Sequence, residues 1–220
     1  MSNKYKLYGT PISPFSYLIH AALIYKKVDF EYVFVDLGAK KQKEPEYLKL
    51  HPFGQVPLLV TDEGVNLYES LAIFEYLEEK FPDSPMLPKD LNERAKIRAL
   101  CQSLATSIIP NARELLFIAL GAMPCTEEEL NTKRELVIAK LKTLEEEYAK
   151  LSQSKDLSPI DVMLYQAWNN LSLAYPDSVS LLPQLNDAVR KTAQNAVIQE
   201  IEALPLVKMI RQAFNARFAK

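Results

Sequence analysis

The chain has 220 residues, 48% of them hydrophobic and 25% charged, with a formal net charge of -2. That balance suits one large or two modest folded domains with a real core, and it excludes a long disordered or low-complexity chain. Acidic and basic residues are interspersed, so neither nucleic acid nor an anionic membrane surface is an expected partner.

Tyr5 to Tyr8 reads as a short strand, ended by Gly9-Thr10-Pro11. Phe15 to Lys27 follows with apolar residues at helical spacing, and Phe30 to Asp36 is rich in β-branched and aromatic residues. Together they predict a β-α-β unit with a parallel pair of strands. Lys40 to Lys43 reads as a solvated basic run and Pro45 to Leu50 as a short helix.

The stretch His51 to Ser70 then reads as loop, strand, turn, strand and helix start. Pro57 cannot donate to a sheet ladder, so it belongs before or at the first residue of the strand Leu58-Leu59-Val60, leaving the Val56 backbone free. Val65 and Leu67 alternate behind the Asp62-Glu63-Gly64 turn, and the helix from Ser70 runs to about Lys80. The first eighty residues thus predict the order β-α-β-α-β-β-α.

Phe81 to Pro88 carries three prolines and marks a boundary. The expected division is a first domain over 1–82, a linker over 83–91 and a helical domain over 92–220. In the last of these, a long helix from Glu93 to Leu120 bends at Pro110, and a helix capped by Thr126 and Glu129 runs to about Leu151. Ser158-Pro159-Ile160-Asp161 carries the strongest capping signal, with Leu157 and Val162 as a hydrophobic staple. Helices over about Gln184 to Ile201 and Leu206 to Phe218 complete an α/β plus all-α architecture.

Cys101 and Cys125 form no framework of paired spacings and read as reduced thiols of a soluble cytoplasmic protein. No segment approaches a membrane span, and no His/Cys/Asp cluster predicts a metal site. His20 and His51 read as a polar helix-face residue and a loop residue rather than as bases.

Ser13-Pro14-Phe15-Ser16 stands where the first strand turns into the first helix, with the spacing of a Cys-x-x-Cys redox motif but hydroxyls in place of both sulfurs. Disulfide exchange is excluded there. The helix N-terminus still favours an anion such as a thiolate, which must then arrive on a ligand. Ser13 reads either as a plain helix cap or as a donor to that anion. The free edge at Val56 suits a short extended peptide, and Glu69-Ser70 opens a helix suited to a carboxylate.

Leu7-Tyr8-Gly9 with Ser13, Pro52-Phe53-Gly54-Gln55-Val56-Pro57, Tyr68 to Leu77 and Ser158-Pro159-Ile160-Asp161 resemble the cytosolic glutathione transferases over nearly the whole chain. Serine-type classes are nearest: the Pro-Phe-Gly-Gln-Val-Pro run is similar to the phi class, while Ser13 to Tyr17 and Ser107 to Pro110 are similar to the zeta class. The resemblance implies a thioredoxin-like glutathione-binding domain, a helical domain for a hydrophobic electrophile, and glutathione as co-substrate.

It further implies that Ser13 hydrogen-bonds the glutathione thiolate, with Tyr8 as an alternative hydroxyl. Val56, before a cis Pro57, pairs with the tripeptide backbone. Glu69 and Ser70 hold the γ-glutamyl end, Gln55 assists there or at the backbone, and Lys43 meets the glycine carboxylate or stays a solvated charge. Ile12, Phe15, Ile109, Arg113 and Phe117 are expected to line the electrophile pocket, with Arg113 alternatively a surface cation. A homodimer is implied, joining the first-domain hairpin and third helix to the partner's long helices.

Zeta-type sequences carry Ser-Ser-Cys followed by arginines in the first turn; here Phe15, Leu18 and His20 stand at the cysteine and arginine positions. These departures count against isomerisation and for a non-catalytic protein, and beside conjugation two alternatives stand. One is a non-catalytic binding or regulatory protein of this fold, the other a zeta-like glutathione-dependent isomerase.

Overall fold

The computed structural model describes residues 4–151 and 156–219, and the chain divides into two compact units, Met1–Met86 and Leu87–Lys220. The first unit contains β1 (Tyr5–Gly9), α1 (Pro14–Tyr25), β2 (Phe30–Phe34), a 3₁₀ turn (Lys41–Lys43), α2 (Pro45–Leu50), β3 (Leu58–Val60), β4 (Asn66–Tyr68) and α3 (Ser70–Lys80). Its strands lie in the order β2-β1-β3-β4, with β1 parallel to β2 and antiparallel to β3, and β3 antiparallel to β4. The expected α/β domain is the one observed.

Alternation along β1 sends Tyr5 and Leu7 inward, and Leu58 and Leu59 of β3 are also fully buried. Leu18, Ile19 and Leu23 of α1 and Ile73, Phe74 and Leu77 of α3 are buried as well, and α1 packs against α3. Each such Leu or Ile contributes about 1.5–3 kcal/mol relative to exposure. Within this core Lys26 and Glu78 form an ion pair of 2.7 Å, its side chains 0% and 6% exposed.

Local chemistry shortened two expected elements. Lys27 adopts φ +56°, a left-handed conformation that ends α1 two residues early. Strand β2 stops at Phe34 because the Asp36 carboxylate accepts the N–H groups of Gly38 (2.9 Å) and Ala39 (3.1 Å), closing a turn. The basic run is solvated as expected, its lysines exposed, and within it Lys41–Lys43 forms the 3₁₀ turn.

The second unit, over its described residues, is helical: α4 (Leu91–Ser103), α5 (Ile109–Ala119), α6 (Glu127–Ala149), α7 (Pro159–Ala174), α8 (Ser178–Leu181), α9 (Pro183–Ala193), α10 (Ala196–Ala203) and α11 (Pro205–Asn215). Helix α7 is its axis, buried at Ile160, Val162, Met163, Leu164 and Trp168 and packed against α4, α5 and α9. It opens with a complete capping box between Ser158 and Asp161, and α6 with one between Thr126 and Glu129.

Pro110 interrupts the long helix through a π-helical turn, Leu104–Ile108, in which the Ile109 N–H reaches back to the Leu104 carbonyl. Proline lacks an N–H and its ring crowds the preceding turn, and the wider turn relieves that crowding. The carbonyl of Ser107 is taken up by Asn111 Nδ2 (2.6 Å) and Lys140 Nζ (3.2 Å). The single helix expected over Gln184 to Ile201 is broken at Asn195, whose side chain accepts the Val197 N–H at 2.9 Å and starts α10.

Candidate functional site

Register across the sheet assembles the candidate residues of the first unit. Tyr8 pairs with Leu58, and Leu58 pairs with Tyr68. The exit of β1 toward Ser13, the entry to β3 at Val56-Pro57 and the exit of β4 toward Glu69-Ser70 therefore share one end of the sheet. Neighbouring strands lie about 4.8 Å apart, so three adjacent strand ends span roughly 10 Å. A fully extended tripeptide has about that length.

Ser13 is the N-cap of α1, followed by Pro14 at the first helical position. Its Oγ accepts the Ser16 N–H at 3.3 Å. A serine hydroxyl carries one proton and two lone pairs, so accepting this bond leaves the proton able to donate. The capping and donating roles are thus compatible. Tyr8 is half-buried, its ring edge-on to Tyr47 at 6.1 Å between centroids.

The Val56–Pro57 peptide is cis. Val56 lies two residues before Leu58 and has no partner in either ladder register. The loop before it is fixed from several sides. Tyr47 Oη donates to the Gln55 carbonyl at 2.6 Å, and Lys43 Nζ to the Phe53 carbonyl at 3.0 Å. Gly54 has φ +56°, and a Cβ there would stand 2.6 Å from the Gln42 carbonyl, so the loop backbone packs tightly on the 3₁₀ turn. Lys43 and the Gln55 side chain are exposed.

Glu69 precedes α3 at φ +67°, rare for a residue with a side chain. Its carboxylate does not cap the helix. The first N–H groups of α3 therefore have no side-chain cap, and the positive end of the helix favours an anion. Ser70 is 7% exposed at its first position. Backbone strain of this kind costs on the order of 1–3 kcal/mol and concentrates at binding sites.

Ile12 and Phe15 flank Ser13 and are half-buried. Ile109, Arg113 and Phe117 recur every four residues along α5 in the second unit, where Ile109 is buried and Arg113 and Phe117 are exposed. Neither cysteine belongs to the first unit: Cys101 is buried in α4, and Cys125 precedes the α6 cap. A cavity of about 430 Å³ in the second unit, lined by Tyr148, Asp161, Asp187 and Lys191 among others, includes none of the candidate residues.

Both histidines lie on the expected elements but are buried there. His20 is 2% exposed, set against Phe30 and Tyr32, with no hydrogen-bond partner for Nδ1 among the described residues. Burial lowers its pKa to about 4. His51 is 1% exposed, and its Nδ1 likewise has no partner among the described residues. Burial also lowers its pKa, against the opposing pull of Glu69. The sequence signal for His51 was the cluster Tyr47, Phe53 and Tyr68, aromatics that converge only once the sheet is formed.

Residues 3–79 match the family model for the glutathione S-transferase N-terminal domain. Glutathione S-transferase 1 of Dianthus caryophyllus is 40% identical over 139 residues, 63% of this chain and 60% of that protein. Maleylacetoacetate isomerase of Dictyostelium discoideum is 41% identical over 110 residues, 49% of this chain and 50% of that protein. The chain thus spans between half and 60% of the length of these curated relatives. A glutathione transferase homologue from Sulfitobacter, solved with bound glutathione, shares the fold with a TM-score of 0.78 at 22% identity, covering 92% of this chain and 98% of that one. Residues 3–79 thus match a glutathione S-transferase N-terminal domain by sequence, and the chain shares its fold with the Sulfitobacter homologue.

Proposed function

We propose that the chain binds glutathione on its first unit and joins the tripeptide, through its sulfur, to a hydrophobic electrophile. The observation that carries this is the alignment Tyr8–Leu58–Tyr68, which gathers Ser13, Val56 and Glu69-Ser70 at one sheet end. Val56 pairs with the tripeptide backbone, as in strand addition. The uncapped N-terminus of α3, with Glu69 and Ser70, receives the γ-glutamyl end, whose amine suits the Glu69 carboxylate. Gln55 and Lys43 serve the remaining polar ends.

The Ser13 hydroxyl and the N-terminus of α1 stabilise the thiolate, favouring loss of the thiol proton to solvent. The thiolate sulfur then forms a bond to the electrophilic carbon while the leaving group departs with its electron pair. The protein positions the nucleophile rather than supplying it. Ile12 and Phe15 are the proposed acceptor contacts on the first unit, and a homodimer in the cytoplasm is the proposed assembly.

Similarity to maleylacetoacetate isomerase supports a second reading, glutathione-dependent cis–trans isomerisation. Leu18 and His20, at the positions where zeta-type sequences carry arginines, are both buried in α1, so neither offers a cation to a dicarboxylate substrate. Conjugation is favoured for that reason. The test is retention on immobilised glutathione, followed by parallel assays with a chloronitroaromatic and with maleylacetoacetate. Retention with conjugation upholds the first reading, and isomerisation alone replaces it with the second. Retention with neither activity, or no retention, leaves a binding or regulatory protein.

A further inference from the structure

His51 occupies the junction between the two halves of the proposed glutathione subsite. Its N–H donates to the Tyr47 carbonyl and its carbonyl accepts the Gly54 N–H, each at 2.9 Å, so the residue ends α2 and begins the loop leading to Val56. Its ring stacks on Tyr47 at 6.1 Å and 20°, and lies tilted against Tyr68 at 5.1 Å and 31°. The edge of Phe53 closes the cluster at 6.4 Å. Tyr47 also holds the Gln55 carbonyl through its hydroxyl, and Tyr68 directly precedes the strained Glu69. One buried imidazole is therefore packed between the tyrosine that anchors the peptide-binding loop and the tyrosine that leads into the carboxylate-binding helix.

We propose that His51 is a positioning residue for glutathione, its ring holding the loop Phe53 to Pro57 in register with Glu69 and the start of α3. This rests on the glutathione reading above. A bound tripeptide has to meet Val56 and Glu69 together, so a slip between their supports weakens binding while leaving Ser13, on a different strand exit, unaffected. The effect belongs to affinity and not to turnover at saturation.

The ring is held in its neutral form. The charged groups around it are Glu69, which favours protonation, and Lys43 on the 3₁₀ turn, which opposes it; the phenols of Tyr47 and Tyr68 complete the surroundings. Protonation would place a second N–H in an aromatic setting that offers Nδ1 no acceptor among the described residues. Acid therefore loosens the same junction.

The experiment compares wild type, His51→Ala and His51→Phe by calorimetric titration with reduced glutathione at pH 7.5 and 5.5. It adds conjugation kinetics with a chloronitroaromatic, thermal melting, and amide hydrogen exchange without glutathione. His51→Ala is expected to raise Kd and KM for glutathione roughly tenfold, equivalent to about 1.4 kcal/mol, with kcat at saturation within about twofold of wild type. Exchange should quicken at 53–57 and 68–70 and not in β1. His51→Phe keeps the ring, and should restore much of the affinity at pH 7.5 while removing the weakening that wild type shows at pH 5.5.

Unchanged affinity in a folded His51→Ala, a loss confined to kcat, or quickened exchange across the whole unit would each overturn the proposal. If His51→Ala does not fold, the pH dependence in His51→Phe decides: equal weakening in both proteins overturns it. Wild type that binds no glutathione, with exchange still quickened at both segments in His51→Ala, overturns the glutathione reading and leaves the coupling standing.

Discussion

Lys26 and Glu78 form a buried ion pair that also fastens the chain after α3. Lys26 Nζ donates to the carbonyls of Phe81 (3.3 Å) and Ser84 (2.8 Å), and Glu78 Oε1 accepts the Met86 N–H at 3.0 Å. Removing one partner strands the other charge in the core, which costs about 3–5 kcal/mol. Lys26→Met is therefore expected to lower the urea midpoint sharply. The double variant Lys26→Met/Glu78→Leu should recover part of that loss, since no lone charge remains. Additive losses in the double-mutant cycle would show that the pair is not coupled.

Ser13 has an observed capping role and a proposed donor role, and its replacement should show both. As helix cap, Ser13→Ala costs about 1 kcal/mol of stability. As thiolate donor, it should lose turnover by roughly 10²-fold or more, the scale of one lost donor to a developing anion. Glutathione affinity should change far less. Full turnover in Ser13→Ala would transfer the role elsewhere, with Tyr8 the next hydroxyl to replace.

In the proposed site, stability and binding pull apart at Glu69. Glycine would relieve the left-handed strain, worth on the order of 1–2 kcal/mol, while adding about 0.5–1 kcal/mol of unfolded-state entropy. Glu69→Gly should thus melt at or above the wild-type temperature while binding glutathione more weakly. A variant that loses stability together with affinity would mean that Glu69 serves the fold and not the ligand.

Element order in the first unit was legible because β1, β3 and α3 each carry a strong local signal: alternation in Tyr5 and Leu7, Pro57 ahead of Leu58, and Ser70 ahead of an apolar helical stripe. Ser13 was legible for a similar reason, since a cap followed by proline is a local pattern. The buried state of His20 and His51 was not legible. It arises from contacts across the sheet, such as Tyr68 against His51 and Phe30 against His20, which no local window contains. The break at Asn195 was missed because an asparagine inside an apolar helical period looks tolerable until its side chain takes a backbone N–H.

His20 makes the stability of the chain depend on acid in a calculable direction. In the folded state its pKa is lowered to about 4 by burial, while in the unfolded chain it titrates near 6.5. Between those values the unfolded state binds the extra proton, so stability rises with pH. The contribution of neutral His20 is whole above about pH 6.5 and is lost as pH falls through about 4, with a total near 3 kcal/mol. Chemical denaturation at pH 7.0 and 4.5 should show much of that difference in wild type. His20→Leu fills the space between Phe30 and Tyr32 without a titrating group and should remove most of it. An equal fall in both proteins would assign the acid sensitivity to other groups.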